Sequence, residues 1–198
     1  METMILATSN DHKKNEFAKI LSNYQILTLN DKQISFSVKE NGKTFQQNAY
    51  LKAKKAATLI NETILADDSG LIIDALPRLL GVHSARYKKK KNYEEKCSIL
   101  LKKMKNKSNR TARFVCALCL ITKEKEVYFF EGVCEGTIAF SYKGENGFGY
   151  DPIFIPKGYK QTFSEMSEEQ KNQLSHRKQA INQLLQFLKE RENEHITY

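Results

Sequence analysis

The chain has few of the residues and runs that mark linkers, anchors and repetitive segments. Its 198 residues include only three prolines and nine glycines. We find no internal repeat and no low-complexity or Pro/Gly/Ser-rich stretch, so the sequence predicts one continuous domain over residues 1–198. No apolar run approaches the roughly 20 residues of a membrane span, and the acidic Glu2 stands where a signal peptide would be basic. We therefore expect a cytoplasmic protein that does not contact the membrane.

Cysteine is also scarce, which argues against a disulfide scaffold. Cys116 and Cys119 form a CxxC spacing that is found in zinc sites. They lie, however, in the segment FVCALCLI, which is typical of a buried strand, and residues three apart on a strand point to opposite faces. With Cys97 and Cys134, we expect free thiols in the core, with no disulfide in a reducing cytosol.

Positive charge is what the chain has in excess. It contains 32 Lys and Arg against 23 Asp and Glu, a net charge of +9, and its pI is near 9.3. This balance, and the run Lys88–Lys91, fit either a nucleic-acid-binding protein or an enzyme that attracts anionic nucleotides. No known nucleic-acid-binding module is recognisable, and aromatic residues do not interleave with the lysine run. Nucleic acid is therefore the less favoured partner.

The segment Ile64–Asp74, ILADDSGLIID, carries the strongest chemical signal. An apolar strand leads into Asp67 and Asp68, and Gly70 follows where we expect the backbone to turn. Carboxylate oxygens are the ligands that Mg²⁺ prefers. The segment therefore predicts a metal site at a strand end, with an Asx-type turn after a buried strand as the alternative.

Near the N-terminus, a short apolar strand is followed by a polar turn and a helical pattern. Thr8, Ser9, Asn10 and Lys13 lie at this turn. A helix N-terminus offers unpaired N–H groups and the positive end of the helix dipole, so these residues suit an anion. The glycines of a Walker loop are missing, and a capped helix would explain the same residues without a ligand.

Two later segments combine aromatic and basic side chains. In Gly147–Pro152, two glycines flank Phe148, an aromatic ring on which a nucleobase could stack; a packed glycine turn is the alternative. Ser175 has the character of a helix N-cap. His176 and Arg177 would then occupy the first helical turn, where the dipole favours acidic residues, and this conflict favours a ligand.

Taken in order, these segments closely resemble the inosine/xanthosine triphosphate pyrophosphatase family, and the match runs nearly end to end. The matching segments are ILATSNDHKKNEF, ENGKTFQQNAYLKA, LADDSGLIIDAL, GVHSARY, ARFVCALCLI, GENGFGYDPIFIP and MSEEQKNQLSHRKQA. The resemblance implies hydrolysis of nonstandard purine nucleoside triphosphates (ITP, dITP, XTP) to the monophosphate and pyrophosphate. A pyrophosphatase for other modified or pyrimidine nucleotides is the nearest alternative.

The resemblance also implies roles for individual residues. It makes Asp68 the catalytic carboxylate and assigns Mg²⁺ to Glu40 and Asp68, with Asp67 as a further candidate. The implied substrate-binding residues are Thr8, Ser9, Asn10, Lys13, Lys52, Ser69, Phe148, Gly149, Tyr150, Asp151, Lys171, His176 and Arg177. The loop before Tyr87 departs from the family pattern: Leu80 precedes Gly81, His83 follows Val82, and the lysine run comes directly after Tyr87.

The residue patterns predict a mixed α/β domain. The family resemblance implies an elongated mixed central sheet flanked by helices, and two lobes with a substrate cleft between them. It also implies a homodimer. Strands are predicted at Met4–Ala7, Tyr24–Leu29, Ile64–Ala66, Gly70–Asp74, Ala112–Thr122, Glu126–Cys134 and Gly136–Phe140. Helices are predicted at Asp11–Leu21, Thr44–Ile60, Tyr93–Lys105 and Ser175–Glu190, with a short helix opened by a capping box at Ser167.

Overall fold

The computed structural model describes residues 2–196, with side chains as far as residue 193. Within this range the strands are β1 (Glu2–Leu6), β2 (Tyr24–Thr28), β3 (Thr63–Ile73), β4 (Thr111–Ile121), β5 (Val127–Ile138) and β6 (Phe154–Pro156). The helices are α1 (Asp11–Ile20), α2 (Phe45–Ala57), α3 (Tyr93–Met104), α4 (Glu168–Leu174) and α5 (His176–Ile196).

The strands form one mixed sheet in the order β2-β1-β3-β4-β5-β6. Strand β1 pairs in parallel with β2, from Glu2 opposite Tyr24, and with β3, as far as Leu6 opposite Leu65. Strand β6 pairs antiparallel with β5. Helices alternate with the parallel strands, as βαβ connections require, so the predicted α/β class with a mixed sheet is confirmed.

The prediction that the backbone turns at Asp67 and Asp68 is wrong. Strand β3 is continuous from Thr63 to Ile73, and both aspartates are buried within it. The pairing with β1 stops at Leu65, whereas β3 continues beside β4. The two carboxylates therefore lie just past the carboxyl end of β1, at the end of a neighbouring strand rather than of their own.

Side-chain caps define where several helices begin. Asn10 accepts a hydrogen bond from the backbone N–H of Lys13, and Thr44 caps α2 in the same way. Helix α3 begins with a reciprocal capping box between Asn92 and Glu95. The predicted capping box at Ser167 is also confirmed. Such caps stabilise a helix by about 1 kcal/mol each, which explains why the start of these helices was predictable.

The chain divides into two compact units. The first comprises the segments up to Asp68, Cys116–Gly132 and from Gln179 onward, and the second comprises Ser69–Val115 and Val133–Lys178. Each unit has its own hydrophobic core. The first holds one core of α1 and α5 residues and another of α2 residues, and the second holds a core built around α3 and three phenylalanines. The two-lobe cleft stays a prediction.

Several element boundaries differ from the predicted ones. Strand β5 continues through Gly136 as one strand, where two had been expected. The short strand β6 was missed because three residues give no periodic signal. Helix α5 extends to Ile196, beyond the predicted end. Among residues 2–196, none of the helices is long and apolar enough to cross a membrane.

The four cysteines are buried and free, as predicted. Cys116 lies in the core that contains α1 and α5, and Cys119 lies in the core that contains α2. The CxxC pair therefore faces opposite sides of β4. This geometry explains why the spacing does not form a zinc site.

Candidate active site

The first candidate site is a carboxylate–lysine cluster, by which we mean Lys13, Glu40, Asn48, Lys52, Asp67 and Asp68. Asp67 is fully buried and Asp68 is 7% exposed. Lys13, on the first turn of α1, places its Nζ 2.7 Å from Oδ2 of Asp67. Lys13 thus lies beside Asp67 because of the positions of β1, the turn that follows it and α1.

The turn between β1 and α1 is fixed by local hydrogen bonds. The backbone N–H of Asn10 donates to Oγ1 of Thr8, over 3.1 Å, and the Asn10 side chain caps α1. Ser9 is exposed in the same turn. Thr8 and Asn10 therefore make the local hydrogen bonds that the capping alternative expects, and the role of this turn toward an anion stays a prediction.

Helix α2 supplies the second half of this cluster. The Lys52 Nζ lies 3.1 Å from Oε1 of Glu40. One turn earlier on α2, the Asn48 amide donates to Oδ2 of Asp68 over 2.9 Å. Asn48 is fully buried, and its own Oδ1 accepts a hydrogen bond from the backbone N–H of Gly42. Asn48 therefore anchors both Asp68 and the segment that follows Glu40.

Asn48 is a site residue that the sequence reasoning missed. It stands four residues before Lys52, which places both side chains on one face of α2. This i,i+4 spacing from a lysine already assigned to the site was the available signal.

The pKa values of Asp68 and Lys52 depend on both burial and neighbouring charges. The pKa of Asp68 is raised to about 6: burial is the largest cause and Glu40 adds to it, whereas Lys52, the Asn48 amide and Lys13 partly oppose the shift. For Lys52, burial lowers the pKa, but Asp67, Glu40 and Asp68 outweigh burial and leave it raised. The cluster therefore holds a charged lysine beside an aspartate that titrates near neutral pH.

The second candidate site is an aromatic–basic cluster, by which we mean Ser69, Phe148, Asp151, Lys171, His176 and Arg177. Asp151 and Lys171 form a buried ion pair, with 2.7 Å between Oδ2 and Nζ. The Lys171 Nζ also lies 4.6 Å from the centroid of the Phe148 ring. The backbone N–H of Phe148 donates to the same Asp151 oxygen over 2.8 Å. One carboxylate thus orders both the aromatic ring and the lysine beside it.

Helix α5 brings its first two residues into this second cluster. His176 is buried and stacks on Phe114, with centroids 4.9 Å apart and planes at 11°. Arg177 is 3% exposed, and its Nη2 donates to Oγ of Ser69 over 3.3 Å. Ser175 accepts a hydrogen bond from the Lys178 N–H, as a cap should. The predicted basic first turn is confirmed, and it is buried rather than solvated.

The loop that carries Phe148 depends on glycine. Gly147 has φ +76°, and a Cβ there would collide with the Asp151 carboxylate. Tyr150, whose predicted contact with a substrate stays a prediction, is 4% exposed, and its hydroxyl donates to the backbone oxygen of Ser84 over 2.6 Å. Its ring meets Tyr93 edge-on at 5.4 Å. Through these two contacts Tyr150 holds the loop against Ser84 and Tyr93.

The two clusters account for most of the residues that the sequence singled out. Lys13, Glu40, Lys52, Asp67 and Asp68 are brought together in the first unit. The second unit holds two contacting sets, Phe148 with Asp151 and Lys171, and Ser69 with Arg177, and His176 is next to Arg177 in the chain. Their roles toward a ligand stay predictions.

The chain is thus a mixed α/β protein in which buried carboxylates lie beside lysines and the segment that carries Phe148 is held by a buried ion pair. The chain belongs to the Ham1 family, whose model matches residues 4–187. The family resemblance predicted from the sequence is therefore confirmed.

Individual relatives are similar over nearly the whole chain. The dITP/XTP pyrophosphatase of Staphylococcus aureus (strain Mu50) is 41% identical, with 98% of this chain and all of the relative covered. That of Oceanobacillus iheyensis is 43% identical over 95% of this chain and 98% of the relative. The solved structure of the Staphylococcus aureus Ham1 protein has a TM-score of 0.87 at 40% identity, covering 96% of this chain and 100% of that one.

Proposed function

We propose that this protein hydrolyses nonstandard purine nucleoside triphosphates, ITP, dITP and XTP, to the monophosphate and pyrophosphate, and so clears them from the nucleotide pool. Its membership of the Ham1 family and its similarity to dITP/XTP pyrophosphatases support this proposal. The observation that carries it is the buried Asp68, held by Asn48 beside the charged Lys52. A protein that only bound nucleic acid would have no need of such a carboxylate.

The phosphates would bind at the carboxylate–lysine cluster. Lys13 and Lys52 carry the positive charge, and the N-terminus of α1, after Thr8, Ser9 and Asn10, adds backbone N–H donors. Because both lysines already contact carboxylates, they are held in place before the substrate arrives. Such preorganisation is what makes electrostatic stabilisation effective.

The donor set of this cluster fits a magnesium ion. Glu40 raises the pKa of Asp68, so the two acidic groups repel one another, and a cation bound beside them would relieve this repulsion. Among the side chains described, those of residues 2–193, no group of three His, Cys, Asp or Glu could hold a metal ion. Mg²⁺, however, is usually held by one or two carboxylates with water and substrate phosphates. We assign it to Glu40 and Asp68, with Asp67 nearby, where it would neutralise charge on the departing pyrophosphate.

Asp68 is the proposed general base. With a pKa of about 6 it is ionised at neutral pH, yet it is basic enough to accept a proton from water that attacks the α-phosphorus. The Asn48 amide holds one of its oxygens. The lysines would then stabilise the charge that develops on the leaving group.

The nucleobase of the substrate would bind at the aromatic–basic cluster, where its ring would stack on Phe148 beside the turn at Gly149. Arg177 would donate to the 6-oxygen of hypoxanthine or xanthine, whereas the 6-amino group of adenine is itself a donor and cannot accept. Lys171, Asp151 and His176 would complete the polar surroundings of the base.

A pyrophosphate-coupled assay tests this function. ITP, dITP and XTP should yield monophosphate and pyrophosphate, activity should require Mg²⁺ and disappear with chelator, and ATP should be a poor substrate. Release of orthophosphate as the first product would contradict the proposal. Modified and pyrimidine triphosphates in the same panel test the nearest alternative, and single-stranded DNA at moderate salt tests the nucleic-acid alternative.

We also infer a homodimer and a cytoplasmic location, both of which rest on the family resemblance and the sequence. Light scattering coupled to size-exclusion chromatography would measure a mass of twice 22.9 kDa for the dimer. A monomeric mass at micromolar concentration would contradict this part of the proposal.

A further inference from the structure

The segment 75–93, which we call the basic platform, concentrates the charge of the chain. It contains no Asp or Glu, and its six charged residues are Arg78, Arg86 and Lys88–Lys91. Together they equal two-thirds of the net charge of +9. All six side chains are exposed. This is a strongly positive surface that neither candidate site uses.

The backbone of the basic platform is held in place by hydrogen bonds from Ser84 and Lys96. The Ser84 hydroxyl accepts from the backbone N–H of Leu71 over 3.0 Å and donates to the Gly81 carbonyl over 2.6 Å. The Lys96 ammonium donates to the Ala85 carbonyl over 3.3 Å. Lys88 has φ +46°, a conformation that persists only where the surroundings fix it. The lysines therefore project from an ordered turn.

The basic platform is also hydrogen-bonded to the loop of the aromatic–basic cluster. The Tyr150 hydroxyl donates to the Ser84 carbonyl, and Tyr150 immediately precedes Asp151. We propose that the basic platform is a steering surface that attracts the anionic substrate toward the aromatic–basic cluster, to whose loop it is hydrogen-bonded. This inference rests on the proposed function, because it takes the tetra-anionic triphosphate as the ligand.

A small polyanion fits this surface better than a macromolecule does. Tyr93, at one end, is the single large hydrophobic side chain in segment 75–93 that the structure shows as exposed. A membrane-binding surface would need apolar side chains to insert, and a single-strand binder needs a series of aromatic rings for stacking bases. A charged surface without apolar side chains attracts an anion by long-range electrostatics. Salt screens this attraction, with a Debye length of about 8 Å at physiological ionic strength.

A pair of matched triple variants tests this proposal. Lys88→Gln/Lys89→Gln/Lys90→Gln removes three charges from the basic platform and leaves the pair between Lys91 and Glu95 intact. The control removes three exposed lysines from the other end of α3, about 18 Å away at 1.5 Å per residue; its substitutions are Lys102→Gln, Lys103→Gln and Lys105→Gln. Net charge changes equally in both.

We expect the platform variant to lose about threefold to tenfold in kcat/KM for ITP at low ionic strength, a size typical of weaker electrostatic steering. Its kcat should not change, and the difference should fall below about twofold near 0.5 M salt, where charges are screened within a few ångströms. The control variant should match the wild type at every salt concentration.

Three results would overturn the proposal: equal losses in both variants, a loss of kcat/KM that does not depend on salt, or a platform variant with normal kcat/KM that has lost binding to single-stranded DNA.

If the wild type does not hydrolyse ITP, the proposed function fails by itself. Calorimetric binding of inorganic tripolyphosphate at low salt then still tests the basic platform. Weaker binding by the platform variant than by the control supports the surface, and equal binding refutes it.

Discussion

Asp68→Asn should abolish activity and at the same time stabilise the fold at neutral pH. Burial raises the pKa of Asp68 from 3.8 to about 6, which means that the folded protein disfavours the ionised form. Asparagine keeps the shape of the side chain and removes the charge. At about 1.4 kcal/mol per pKa unit, the shift corresponds to about 3 kcal/mol in the free energy of unfolding.

The sign of this effect follows from proton binding. Between pH 4 and about 6 the folded protein holds a proton on Asp68 that the unfolded chain has released, so the stability of the wild type falls as pH rises through this window. Above pH 6 the full penalty is present, and below about pH 4 Asp68 is protonated in both states. The variant should therefore be more stable than the wild type above pH 6, with the difference vanishing near pH 4.

Denaturant unfolding from pH 4 to 8 in the presence of chelator measures the stability difference, and steady-state hydrolysis of ITP with Mg²⁺ measures the catalytic loss. Removal of a general base typically lowers kcat by about 10²–10⁴-fold. Because Mg²⁺ bound at Asp68 would lower its pKa, the pH window of the stability difference applies to the protein in chelator.

Asp67→Asn is the matched control, because it is the same chemical change on the neighbouring residue. Asp67 is fully buried and forms an ion pair with the partly exposed Lys13, so loss of its charge should destabilise the protein, by at most about 3–5 kcal/mol, the cost of breaking a fully buried pair. The two variants should thus change stability in opposite directions. If Asp68→Asn is less stable than the wild type above pH 6, or if it retains near-normal kcat, the reasoning on Asp68 is wrong.

Two further variants test the aromatic–basic cluster. Arg177→Ala should lower kcat/KM for ITP by about tenfold to a hundredfold, the value of one hydrogen bond from a charged donor, and leave ATP nearly unchanged; equal proportional losses in a two-substrate assay would argue against a contact with the base. Asp151→Asn should cost about 3–5 kcal/mol in denaturant unfolding, because it breaks the buried pair with Lys171. The exposed pair of Asp74 with Arg113 provides the comparison: Asp74→Asn should change stability by less than about 1 kcal/mol, and similar losses in the two variants would contradict the argument from burial.

Much of the fold was predictable where short-range chemistry decides the structure. The start of α1, α3 and α4 follows from capping side chains, and the buried strands follow from apolar runs. The turn expected at Asp67 and Asp68 was wrong because polar residues in a row normally indicate a chain reversal. Here Lys13 pairs with Asp67 and the Asn48 amide donates to Asp68 inside a strand, a tertiary effect that no local pattern contains.

The candidate site was likewise predictable in part from the sequence and in part only from the folded structure. Family resemblance supplied Asp68, Lys52 and Arg177, but the physical signals in each segment left a structural alternative open. Asn48 and the supporting position of Tyr150 were missed because both depend on contacts between residues far apart in the chain, 20 and 66 positions respectively. Sequence patterns indicate residue types that suit a chemistry, and only the folded arrangement shows which side chains touch the reacting groups and which support them.

The four buried thiols provide a built-in measure of local opening. Burial raises the pKa of Cys97, Cys119 and Cys134 to about 12, so a thiol reagent should react with them only when the surrounding core opens. Cys97 and Cys134 belong to the core of the second unit, and Cys116 and Cys119 to the cores of the first. The labelling rate of each cysteine, followed by mass spectrometry, would therefore report the opening free energy of each unit separately, with no label introduced by mutation.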